Sequence, residues 1–107
     1  MRIPRLARLM LPLLCLALSP LAQAQSKEAL YTKSLAATCA NCHGTDGKVV
    51  AGSTVTSLAG LDKAYIIAQM NAFKTGARPA TVMHQISKGF NDAQIESLAG
   101  YFAAQKK

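Results

Sequence analysis

Residues 38–47, TCANCHGTDG, set Cys39, Cys42 and His43 within five consecutive positions. Cys15 is the only other cysteine in the 107-residue chain. A chain of this length supports one domain at most. A domain of well under 100 residues is marginal unless a disulfide, a metal or a bound group adds to its core. The chemistry of this short segment therefore constrains the fold more than any other feature of the sequence.

Residues 1–24 read as a secretory signal peptide. MRIPRLARLM carries three arginines, LMLPLLCLALSPLA is apolar, and Ala22, Gln23 and Ala24 supply small residues for cleavage. The apolar run is shorter than the ~20 residues of a spanning helix, and two prolines interrupt it, so no permanent membrane span is expected. Leu14 precedes Cys15 where lipid attachment would want a small residue, and Cys15 is expected to leave with the leader. The domain is then residues 25–107, 83 residues in all. Export implies a periplasmic location, an oxidising compartment in which an idle cysteine pair would close.

Loss of three arginines from twelve basic residues leaves nine against five acidic ones, a balance of about +4. The lysines are scattered. No basic cluster marks a nucleic-acid partner, and the charge reads first as a solvated surface, second as a means of steering an acidic partner.

Three helices are legible. One is expected to start at a Ser26 cap and run to about Thr38, with Tyr31, Leu35 and Ala36 on one side. A second starts at Asp62, carries Ile66, Met70 and Phe73 at i, i+4 and i+7, and ends at Gly76 before Pro79. A third starts at Asn91 with Gln94 at capping-box spacing, followed by the stripe Ile95, Leu98, Ala99 and Phe102. A short helical turn is expected from about Val82 to Lys88, closed by Gly89. GTDGKVVAGSTVTSLAG reads as an ordered loop, since glycine breaks its β-branched run and no partner strand is visible. A long loop in a small domain must lie against something.

Four chemistries compete for the cysteine pair. A disulfide explains the thiols and leaves His43 as coincidence. A thioredoxin-like pair should follow a strand and open a helix, whereas this one ends a helix. A zinc site could draw on Cys39, Cys42, His43 and His84, but adjacent Cys42 and His43 fit poorly around one tetrahedral ion. C-x-x-C-H is also the attachment signature of c-type haem. One turn of chain lets both sulfurs reach the two vinyl groups on one side of the porphyrin, and His43 then falls beneath the iron. Only this last reading uses all three residues.

For the second axial position the chain offers Met70, Met83 and His84. Met70 sits in an apolar helical stripe and reads as core. Met83 follows TGARPAT, where Gly76 and Pro79 stop the helix and allow a thioether to turn inward. Met83 is the expected ligand, and His84 is expected to be a surface or hydrogen-bonded histidine. A thioether raises the reduction potential, whereas a second imidazole lowers it.

With these residues in place the chain resembles the class I c-type cytochromes over essentially all of residues 25–107. TCANCHG matches their haem motif, SLAGLDKAYIIAQMNAFKTGARP looks like the middle segment of small bacterial members, and MHQISKGFNDAQIESLAGYFAAQ is similar to their C-terminal stretch. The resemblance implies an all-α fold of about three to five helices wrapped around one covalently attached haem c. Cys39 and Cys42 would tether it, with His43 and Met83 on the iron. Many relatives carry proline where this chain has Thr56, whose carbonyl is then expected to receive the proximal imidazole's N–H. RPATVMHQISKGFNDAQIESLAGYF also looks like the haem subunit of flavocytochrome c sulfide dehydrogenases, which implies a flavoprotein partner.

The function expected is single-electron transfer between redox proteins, such as a flavoprotein dehydrogenase subunit or a terminal oxidase or reductase, with no catalysis by the chain itself. A ligand-binding haem sensor or haem enzyme would need an open sixth position, which Met83 speaks against. Tyr65, Phe73, Phe90 and Phe102 are expected around the porphyrin or in the core. Arg78 reads first as a solvated loop charge and second as a cation facing a partner or a haem propionate.

Overall fold

The structure, a computed structural model, describes the backbone of residues 19–107 and the side chains from Lys27 onward. Most of the expected leader, with Cys15, lies outside the described residues. A first unit ends at Tyr31; a second, compact unit spans Thr32–Lys107 and holds every site discussed below.

Five α-helices and two single 3-10 turns make up the described residues, with no strand among them. Helix α1 is Ser19–Ala37. Ser26 lies inside it and is not its cap, which corrects the sequence reading. PLAQAQ, just upstream, is rich in strong helix formers, and Pro20 falls in the first turn, where a missing N–H is tolerated. A serine caps only where the chain before it leaves the helix.

The C-terminal end of α1 is as expected. Thr38 turns its hydroxyl onto the Leu35 carbonyl at 2.7 Å, and the Cys39 N–H reaches the Ala36 carbonyl at 3.1 Å. The chain then re-enters one helical turn, α2, Ala40–His43. A 3-10 turn at Thr45–Gly47 follows, in which Asp46 takes φ +54° and its carboxylate accepts the Tyr101 hydroxyl. Residues 48–61 form the expected loop.

Helix α3, Lys63–Thr75, starts where Asp62 accepts the Tyr65 N–H at 2.9 Å and ends at Gly76 with φ +81°. Helix α4 is the short Met83–Ile86, continued by a 3-10 turn, Ser87–Gly89. Helix α5, Asp92–Ala103, opens with the reciprocal box foreseen from sequence: Gln94 N–H to Asn91 Oδ1 at 2.9 Å and Asn91 N–H to Gln94 Oε1 at 3.0 Å.

The whole α5 stripe is buried, with Ile95, Leu98, Ala99 and Phe102 between 0% and 3% exposed. Ala36 of α1, Ile66 of α3 and three α5 residues, Leu98, Ala99 and Phe102, form one cluster. Burying a side chain the size of Leu or Phe contributes about 1.5–3 kcal/mol. Yet the buried apolar set among the described side chains has only seven members, and three of them are alanine. So small a core leaves the helices dependent on whatever fills the space between them.

Candidate haem centre

That space is a cavity of about 390 Å³, within the range of small-molecule and cofactor sites. Helix α2 and the Cys39 that precedes it place Cys39, Cys42 and His43 on its lining, α3 places Met70 and Phe73, and α4 places Met83. Tyr65, Phe90 and Phe102 also line it, as expected for packing around a flat ring.

Both cysteines are free thiols, Cys39 half-buried and Cys42 exposed. Burial pushes the Cys39 thiol above its ordinary value, opposed by the neighbouring Thr38 hydroxyl at 4.0 Å. Their positions follow from the chain's turn: the Cys39 carbonyl accepts the His43 backbone N–H at 3.0 Å, so thiols and imidazole ride on one helical turn.

His43 Nδ1 lies 2.6 Å from the Thr56 carbonyl oxygen. A carbonyl only accepts, so Nδ1 carries the proton, and in the neutral ring the lone pair is then on Nε2. The expectation that Thr56 could perform this task without proline is met. An imidazole held in this tautomer, on a cavity wall, is prepared to ligate a metal through Nε2.

Met83 lines the cavity, and His84 does not. The His84 Nδ1 is buried without a hydrogen-bond partner. Met70 lines the cavity while packing against the α1–α3–α5 cluster, so the sequence reading of it as core is only half of its position. Two thioethers thus border the same space.

Arg78 is exposed, as a solvated loop charge should be, but its surroundings were not foreseen. Its Nη1 donates to Gln69 Oε1 at 2.6 Å, its guanidinium stands 4.7 Å from the Phe73 ring centroid, and its backbone N–H reaches the Ala72 carbonyl. It is therefore pinned beside the cavity while still facing solvent. Gln69 was missed; the available signal was a polar residue three positions after Ile66 on the apolar face of α3.

The rival chemistries find less support. No group of three or more His, Cys, Asp or Glu side chains that could hold a metal ion occurs among the described residues. The strand that a thioredoxin-like pair should follow is not found there either. Two free thiols one turn apart, an imidazole whose Nδ1–H is held by a carbonyl, thioethers on other elements and an otherwise mainly apolar lining fit a covalently tethered porphyrin.

Comparison with known proteins agrees. The family model for cytochrome c matches residues 28–106. The chain is 38% identical over 73 residues to the cytochrome subunit of sulfide dehydrogenase of Chlorobaculum tepidum, covering 68% of this chain and 64% of that protein. It is 33% identical over 93 residues to a thiosulfate dehydrogenase electron acceptor of Stutzerimonas stutzeri, covering 83% and 43% respectively. With cytochrome c-553 of Helicobacter pylori it shares 32% over 93 residues, covering 85% and 95%. The match thus spans just under two thirds of the first relative's length, less than half of the second's and nearly all of the third's. The family match takes in every residue of the cavity wall, and with one C-x-x-C-H motif to hold one haem c this chain belongs to the cytochrome c family, as a class I monohaem member.

Proposed function

We propose that the protein carries single electrons between redox partners outside the cytoplasm, and that Cys39 and Cys42 would tether the haem while His43 and Met83 would ligate its iron. The haem supplies a one-electron iron couple when bound. The chain's own residues set its conditions. His43, held by Thr56, offers an oriented nitrogen; Met83 offers a soft sulfur that would favour the reduced metal and would leave no room on it for oxygen or peroxide. The mainly apolar lining disfavours water beside the bound group. The observation that carries this reading is the gathering of Cys39, Cys42, His43 and Met83 on one apolar cavity.

Residues 1–24 are proposed to direct export and to be removed near Ala24, leaving residues 25–107 in the periplasm. Two relatives bear names tied to sulfide and thiosulfate dehydrogenases. A dehydrogenase of reduced inorganic sulfur, such as a flavoprotein, is accordingly the proposed electron donor. Tyr65, Val82 and Ile86, exposed at the cavity margin beside Arg78, offer an apolar contact area with one cation for such a partner.

The test has two parts. The ferric holoprotein should show a low-spin spectrum with the weak far-red band of thioether coordination; a high-spin spectrum that responds to carbon monoxide would replace the carrier with a ligand-binding protein. Affinity purification from the native host should then recover a sulfur-compound dehydrogenase. Recovery of only an oxidase or reductase would move the chain to a different pathway.

A further inference from the structure

A hydrogen bond from a ring nitrogen to a backbone carbonyl is only as well aimed as the peptide unit that carries the carbonyl. The Thr56 carbonyl and the Ser57 N–H belong to one planar unit, so whatever fixes Ser57 also fixes the direction of the Thr56 oxygen. Upstream that unit has little support. Between Val50 and Thr56 the other hydrogen bonds are Ser53 N–H to Val50 O and Val55 N–H to Ser53 Oγ, each 3.1 Å and each internal to the loop. Val50 is 78% exposed.

Downstream the support is concentrated on one atom. The Gly47 carbonyl receives the Ser57 hydroxyl at 2.8 Å, the Leu58 N–H at 2.8 Å and the Ala59 N–H at 3.2 Å. Gly47 itself is buried, four residues after His43. Of the three donors, Ser57 alone uses a side chain, and it alone is bonded directly to Thr56.

We infer that Ser57 is a positioning residue for the axial imidazole: its hydroxyl, donated to Gly47, locks the Thr56–Ser57 peptide so that the Thr56 carbonyl holds His43 Nδ1–H. The contacts join the turn that bears the ligand to the loop that orients it. The inference deepens the proposed site and rests on His43 as the iron ligand. Its consequence is electronic as well as geometric, because an acceptor on Nδ1–H raises the basicity of Nε2. A more basic ligand stabilises the ferric state and lowers the potential.

The test uses haem-loaded protein. Ser57→Ala should speed solvent exchange of the His43 Nδ1 proton about tenfold, the equivalent of one net hydrogen bond, and should move the reduction potential upward. Ser57→Thr, which keeps the hydroxyl, should restore both; Ser57→Val, its isostere without the hydroxyl, should behave like alanine and serves in its place if Ser57→Ala fails to accumulate. Ser53→Ala, in the same loop, should change neither quantity. Wild-type exchange and potential in Ser57→Ala or Ser57→Val would overturn the inference, as would a potential that follows global stability in all variants alike. Should the wild-type protein itself lack the signature of histidine coordination, the ligand assignment fails first, and the two failures are told apart.

Discussion

Gly47→Ala isolates a single close approach on which the centre depends. Gly47 has φ +78°, and a Cβ built on it would lie 2.8 Å from Phe102 Cδ1, 2.9 Å from Leu58 Cβ and 3.0 Å from the Ala59 nitrogen. Two of these atoms cannot give way cheaply, since Phe102 is 3% exposed within the core and Ala59 is backbone. The left-handed conformation costs an alanine about 1–2 kcal/mol, and forcing a methyl into a packed site adds about 1–3 kcal/mol. The sum is about 2–5 kcal/mol. At roughly 4–8 °C per kcal/mol for a domain of this size, the melting temperature of the holoprotein should fall by at least about 8 °C. Gly52→Ala is the matched control: φ is +83° there, but nothing lies within 4 Å, so only the conformational part, about 1–2 kcal/mol, remains. Thermal denaturation of the two variants side by side measures the difference. Equal losses would refute the argument, because the contacts of the added methyl would then count for nothing.

Met83→Ala should lower the reduction potential or open the iron to external ligands, while Met70→Ala should mainly cost stability, about 2 kcal/mol for a half-buried methionine; redox titration and denaturation separate them, and the reverse pattern would make Met70 the ligand. The hydrogen bond to Asp46, with some burial, pushes the Tyr101 hydroxyl above its ordinary value. A raised folded-state pKa gives stability that is full below the unfolded value of about 10 and lost as pH rises through the folded value. Wild-type stability should therefore fall at strongly alkaline pH where Tyr101→Phe stays flatter; parallel profiles in chemical denaturation would dismiss the link. In the haem-free chain, iodoacetamide should label Cys42 before Cys39, because burial raises the Cys39 thiol and so reduces its thiolate fraction; peptide mass spectrometry that finds Cys39 labelled first would count against its half-buried position.

Much of the centre was legible because its determinants are local. C-x-x-C-H needs one helical turn, the Asp62 and Asn91 caps act within three residues, and the stripe from Ile95 to Phe102 follows helical period alone. The Ser26 cap failed for a local reason as well: the residues before it favour helix more strongly than the serine favours starting a new one. Other features depend on distance. Asp46 and Tyr101 meet across 55 residues, Arg78 finds Gln69 across a helix end, and Gly47 collects donors from a loop ten residues on. Met70 shows the same limit. Its position on an apolar stripe was evident, but core and cavity draw on the same stripe, and only packing divides them.

The sequence by itself determined which atoms are offered to a haem, because the two cysteines and the histidine proposed to attach and ligate it lie within five residues of one turn. The tertiary structure alone decided how those atoms are held: Thr56 on the His43 ring, Gly47 against Phe102, two methionine sulfurs on one cavity. The physical reason is that a helical turn is closed by bonds between near neighbours, whereas a cavity has walls only after segments far apart in the chain have packed against one another.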